Sequence, residues 1–166
     1  MKKWPLMKNN ILREDLDAVI KFLQQPDPIL TQSKHVREFE KRWSEWLGVK
    51  YSVFVNSGSS ANLLTMHTIR EKYGLAPTGK DYPGDIIVPT LTWISDLASV
   101  MHAGFNSKYL DCNFLNLCMF DQDIISSLDD DTKAVFLTHT LGFNGLTSRL
   151  LDALKERDIP LVEDVC

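Results

Sequence analysis

The chain has 166 residues, 44% of them apolar and 24% charged, with a formal net charge of −4. That balance excludes a disordered or fibrous chain and gives no basic surface for nucleic acid, so small molecules and other protein chains are the expected partners. Three cysteines, Cys112, Cys118 and Cys166, include no Cys-x-x-Cys pair and stand in apolar or chain-end contexts, which argues against a disulfide framework or a zinc site and fits a reduced cytoplasm. Met1-Lys2-Lys3-Trp4-Pro5 is followed by no apolar stretch of signal-peptide length, and no window approaches a membrane span.

In chain order, Leu12, Leu16, Val19, Ile20 and Leu23 recur at helical spacing and predict a helix from about Arg13 to Gln25, stopped by Pro26-Asp27-Pro28. A second amphipathic helix is expected from Ser33 to Leu47, with Val36, Phe39, Trp43, Trp46 and Leu47 on its apolar side and Gly48 as its stop. Its two tryptophans suit a core or subunit contact rather than chemistry. Tyr51 to Asn56 then reads as a short strand, and Ser59 to about Tyr73 as a helix. Gly74 to Gly84, rich in proline and glycine, reads as a surface loop. Beyond it the pattern alternates: strand Asp85–Pro89, helix Thr92–Ala103, strand Lys108–Asp111, helix Asp121–Leu128, strand Ala134–Thr138, helix Leu146–Arg157 and strand Pro160–Asp164.

Short, nearly all-apolar strands alternating with helices predict an α/β domain with a three-layer, mostly parallel sheet, the whole chain 1–166 forming one domain with an N-terminal helical segment over 1–48. In such sheets ligands collect beyond the carboxyl ends of the strands. Ser57 to Ser60, Thr90 to Trp93, His139 and Asp164 all fall at such ends. The first of these, within Phe54-Val55-Asn56-Ser57-Gly58-Ser59-Ser60-Ala61-Asn62-Leu63-Leu64, is the pivot: an apolar run breaks into a hydroxyl-rich turn and resumes as a helix. Unpaired N–H groups at a helix start suit a phosphate, although Ser59 or Ser60 could equally be a simple N-cap.

With these positions assembled, the chain resembles the DegT/DnrJ/EryC1/StrS family of pyridoxal-phosphate-dependent sugar aminotransferases. The matching stretches are Thr31 to Glu40, Leu47-Gly48-Val49-Lys50-Tyr51, Val55 to Leu63, Pro83 to Pro89, Thr92-Trp93 and Leu161-Val162-Glu163-Asp164. The resemblance implies the large domain of the aspartate aminotransferase-like fold over 49–166, pyridoxal 5'-phosphate (PLP) as cofactor, and a dimer when complete. It implies Ser59 and Ser60 at the cofactor phosphate, Trp93 against the pyridine ring and Asp164 at the ring nitrogen. His139 is left between a substrate-side and a structural role, and no metal is implied. The implied reaction is amino transfer, with glutamate as donor, to the keto carbon of a nucleotide-linked sugar in polysaccharide or amino-sugar biosynthesis.

One departure bears on that reading. The family's Schiff-base lysine lies well after the aspartate, whereas Lys50, Lys80, Lys108, Lys133 and Lys155 all precede Asp164, so the expectation is the N-terminal part of such an enzyme, without its covalent anchor. Some similar members carry histidine there and act as sugar 3-dehydratases, which leaves that reaction open. A non-catalytic ligand- or partner-binding domain is the alternative from another class. The turn at 57–60 has neither the Gly-x-Gly-x-x-Gly of a dinucleotide fold nor the Gly-Lys-Ser/Thr of a P-loop.

Overall fold

A computed structural model of the chain describes residues 8–74 and 83–165. Most of the loop expected between Gly74 and Gly84 lies outside the described residues, as do Met1 to Pro5 and Cys166. The chain divides into two compact units between Phe54 and Val55.

The first unit holds two helices, Arg13–Leu23 (α1) and Lys34–Leu47 (α2). The Leu12 N–H at the head of α1 is taken by Asp15 Oδ2 at 2.7 Å. Glu14 and Asp15 in the first turn, with Lys21 in the last, complement the helix dipole. Ser33 caps α2 by accepting the His35 N–H, and Gly48, at φ 75°, closes it in the left-handed conformation that a side chain would resist. Neither tryptophan is core: Trp43 is 44% exposed and Trp46 is 73% exposed. They continue an aromatic ladder along α2, with Phe39 stacked on Trp43 at 5.8 Å between ring centroids and Phe54 edge-on to Phe39.

The strand expected over Tyr51–Asn56 does not form. The Phe54 N–H bonds to Glu40 Oε1 at 2.9 Å instead of to a neighbouring strand, and Tyr51 and Val53 stay exposed. An apolar run fits a pleated surface only when a partner strand supplies the ladder, and none does among the described residues.

The second unit is a doubly covered parallel sheet. Its elements are Gly58–Lys72 (α3), Asp85–Pro89 (β1), Ile94–His102 (α4), Asn106–Leu110 (β2), Asp121–Ser127 (α5), Thr132–Thr138 (β3), Ser148–Glu156 (α6) and Leu161–Asp164 (β4). The described strands run in the order β2-β1-β3-β4, every pair parallel. Alternation along the strands builds two cores. Ile86, Val88, Ala134 and Phe136 pack with Met66 and Ile69 of α3 and Val100 of α4. Ile87, Val135 and Leu137 point the other way, to Ile124 of α5 and Leu150 and Leu154 of α6. Three layers result, as the apolar strands predict.

Polar anchors fix the helices over the sheet. The Arg70 guanidinium, nearly buried on α3, donates to the Ala103 carbonyl at the end of α4. Gly104, at φ 83°, lets this happen, because a Cβ there would stand 2.6 Å from Arg70 Nη1. Thr147 caps α6 by accepting the Leu150 N–H. The carboxyl ends of β3 and β4 come side by side, with Thr138 opposite Asp164.

Candidate active site

Beyond those strand ends lies a cavity of about 540 Å3 lined by Gly58, Ser59, Leu91, Thr92, Trp93, Ser95, Thr138, His139, Thr140, Leu141 and Asp164. Four of the sequence-predicted residues, Ser59, Trp93, His139 and Asp164, therefore share one cavity, drawn from α3, the β1–α4 turn, the β3–α6 connection and β4. Ser60 is not among the lining residues.

The start of α3 explains why. Ser57, rather than Ser59 or Ser60, is the N-cap, its Oγ accepting the Ser60 N–H at 3.2 Å. Ser57 Oγ also lies 3.2 Å from Ser60 Oγ. The Ala61 N–H bonds back to the Ser57 carbonyl. Of the first-turn donors, the N–H groups of Gly58 and Ser59 thus remain for an external acceptor, and both residues face the cavity. Thr140 also lines the cavity, but its hydroxyl is buried, with no partner among the described residues. Two backbone donors for an anion therefore face the hollow.

Trp93 is 72% exposed, its indole presented to the cavity rather than packed in the core. It stands just before α4 in extended conformation. His139 is more constrained. Its Nδ1 accepts the Gly145 N–H at 3.4 Å, and its Nε2 lies 2.9 Å from Glu163 Oε1, so the neutral ring carries its proton on Nε2 and gives it to glutamate. Both nitrogens are engaged, Nδ1 within the turn and Nε2 by β4. The next residues bend sharply, Leu141 adopting φ 54° and standing 86% exposed at the mouth of the cavity.

Asp164 closes the far side. One oxygen, Oδ2, accepts from Asn62 Nδ2 at 3.0 Å, and the Asp164 carbonyl takes the His139 N–H at 2.9 Å. Behind it sits Asp96, fully buried, which the sequence reading passed over together with Asn62 and Thr138. Asn62 Nδ2 reaches Asp96 Oδ1 at 2.9 Å, while the hydroxyls of Thr92 and Thr138 meet its other oxygen. Burial pushes the Asp96 carboxyl above its ordinary value; the two threonine hydrogen bonds oppose that, and the charge of Asp164 and a hydrogen bond to it add to the rise. A signal for this group existed. Asp96 sits with Val100 and Ala103 on one face of its helix, a charged residue on an apolar stripe.

A second hollow, of about 500 Å3, runs along β2 past Asp85, Met101, Phe105 and Tyr109. Among the described residues, no cluster of histidine, cysteine and acidic side chains could hold a metal, and no helix is long and apolar enough to cross a membrane.

The sequence model of the DegT/DnrJ/EryC1/StrS aminotransferase family matches residues 9–166. The GDP-4-keto-6-deoxy-D-mannose 3-dehydratase of Yersinia pseudotuberculosis is 27% identical over 167 residues, covering 100% of this chain and 41% of that enzyme. The dTDP-4-dehydro-2,3,6-trideoxy-D-glucose 4-aminotransferase of Saccharopolyspora spinosa is 26% identical, over 91% of this chain and 37% of that protein. Among solved structures, E. coli GDP-4-keto-6-deoxy-D-mannose-3-dehydratase with bound hydrated PLP superposes with a TM-score of 0.86 at 26% identity, covering 100% of this chain and 41% of that one. The chain thus spans about two fifths of the length of the relatives it matches, and it belongs to the DegT/DnrJ/EryC1/StrS aminotransferase family.

Proposed function

We propose that this chain forms the cofactor site of a PLP-dependent enzyme that acts on a nucleotide-linked keto sugar. The observation that carries the proposal is the meeting, in one cavity, of free donors at the start of α3, an exposed indole and the Asp164 carboxylate. This set fits the cofactor. The Gly58 and Ser59 N–H groups would hold its phosphate, Trp93 would lie on its ring, and Asp164 would accept a hydrogen bond from its ring nitrogen. Bound there, PLP supplies an electron sink for a carbanion formed beside it. The chain's own part is placement and charge: a negative group at the ring nitrogen favours the protonated ring, and α3 fixes the phosphate. His139, tied to Gly145 and Glu163, would shape the turn that carries Thr140 and Leu141 rather than move a proton.

Two reactions are compatible with that site. Loss of the sugar 3-hydroxyl is the reading that the Yersinia and E. coli relatives favour, since both are 3-dehydratases matched over the whole chain. Amino transfer from glutamate, the expectation from the family resemblance, is the second reading and has the Saccharopolyspora relative behind it. We propose further that the working protein is a homodimer.

Product analysis tests the proposal. The full-length polypeptide carrying these residues would be given PLP, glutamate and a GDP-linked 4-keto-6-deoxy sugar. Mass spectrometry should find a sugar that has lost its 3-hydroxyl. A product that keeps this hydroxyl and carries a new amino group would establish the second reading, and an unchanged sugar with no cofactor bound would overturn both.

A further inference from the structure

Asp96 is the one buried acidic side chain among the described residues, with 0% of its surface exposed. No basic side chain forms an ion pair with it among those residues. An unpaired carboxylate in such a place would be costly, so its surroundings must say how the group is tolerated. On one side, Asn62 Nδ2 has two hydrogens and two carboxyl oxygens to serve, Asp96 Oδ1 at 2.9 Å and Asp164 Oδ2 at 3.0 Å. Ser95 Oγ stands at the edge of this pair, 3.4 Å from Asp96 Oδ1.

On the other side, Asp96 Oδ2 meets the hydroxyls of Thr92 and Thr138, the latter at 2.8 Å, and these two hydroxyl oxygens are themselves 2.8 Å apart. Three oxygens therefore make three contacts of hydrogen-bond length. The two threonines bring only two protons. With a carboxylate, one contact would set lone pairs against lone pairs. A proton on Asp96 Oδ2 closes the ring: it is donated to Thr138, Thr138 donates to Thr92, and Thr92 donates back to Asp96.

We propose that Asp96 is a positioning residue held as a neutral carboxylic acid, and that with Asn62 it fixes the Asp164 side chain and leaves Asp164 as the bearer of negative charge at the cavity wall. The direction of the Asp96 pKa, raised first by burial and further by Asp164, agrees with this count of protons. Asp164 is the charged group that acts on Asp96. Arg70, on the neighbouring helix, is turned to the Ala103 carbonyl at the opposite end of α4. That Asp164 then meets a ring nitrogen rests on the function proposed above; the neutral state of Asp96 does not.

The test begins without cofactor. In protein labelled with 13C at aspartate carboxyls, the Asp96 resonance, identified by its loss in Asp96→Asn, should stay in the protonated position at pH values where an ordinary aspartate, with a pKa of about 3.9, is ionised. An Asp96 that ionises at the ordinary pH overturns the proposal. Thermal stability gives the same answer by another route. A raised folded pKa contributes stability that is full below the ordinary value of 3.8 and is lost as pH rises through the folded value. Asp96→Asn should remove this decline, and an unchanged profile would count against a protonated Asp96.

The link to Asp164 is read from PLP affinity. Asp96→Asn, which keeps shape and neutrality, should bind PLP at least about tenfold more tightly than Asp96→Ala, which takes from Asn62 and both threonines the buried group that they share. Equal loss in the two variants overturns the positioning role. If Asp96→Ala does not fold, Asp96→Asn is compared with Asp164→Asn, and a loss as great as that of Asp164→Asn overturns it. Failure of the unaltered protein to bind PLP would instead defeat the proposed function, while the carboxyl titration would still decide the state of Asp96.

Discussion

Trp93 shows how a residue's setting decides its role. A tryptophan in a core is buried, whereas this one keeps 72% of its surface exposed and turns it to a cavity that also holds Asp164 and Ser59. If the indole serves as a platform for a ring, Trp93→Phe should keep most of the PLP affinity, and Trp93→Ala should lose roughly 1–3 kcal/mol, the range for stacking on a heterocycle. Because the side chain is exposed, neither change should move the melting temperature of the protein without PLP by much. Titration calorimetry beside thermal melts checks this, and a large loss of stability in both variants would make Trp93 a packing residue. The position of Trp93 and Asp164 beyond apolar strands was legible, and the roles expected of them came from the family resemblance. Asp96 was marked only as a charge on an apolar stripe, since its setting depends on Asn62 and Thr138, 34 and 42 positions away in sequence. Only the folded sheet brings such partners together.

At the scale of elements, the start of α3 matters most. Its cap is Ser57, one residue before the glycine, so the donors left open belong to Gly58 and Ser59. Ser57→Ala should cost about 1 kcal/mol of stability, the usual loss for an N-cap hydroxyl. It should also weaken PLP binding, by freeing the first turn that presents those donors. Urea unfolding and PLP titration of this variant give both quantities, and unchanged values would remove Ser57 from the account. The same region shows where patterning failed. Unbroken apolar runs marked β1, β3 and β4 within a few residues, and each has a partner strand, while the apolar Tyr51–Asn56 has none among the described residues and its Phe54 N–H turns to Glu40. Strand pairing is a long-range property that a local apolar run does not carry. The α/β pattern placed Ser57 to Ser60, Thr90 to Trp93, His139 and Asp164 at the strand ends, and the family resemblance added the role expected of each.

For the whole molecule, the exposed apolar surface carries a consequence. Helix α1 has no buried residue, and Leu16, Val19, Ile20 and Leu23 on it are each at least 44% exposed, as are Trp43 and Trp46 on α2. Surface of this kind marks an association site, so sedimentation should find concentration-dependent self-association, and charged substitutions at Val19 and Ile20 should weaken it. A monomer at every concentration would contradict the proposed dimer. Whether one cavity at the strand ends receives PLP is decided by a crystal structure of the protein grown with that cofactor. The phosphate should lie against the Gly58 and Ser59 N–H groups, the ring on Trp93, and the ring nitrogen within hydrogen-bond distance of Asp164, with Asp164→Asn weakening binding by about 1.5–3 kcal/mol. A cofactor bound with its ring nitrogen away from Asp164, or bound equally well by Asp164→Asn, would contradict the proposed site.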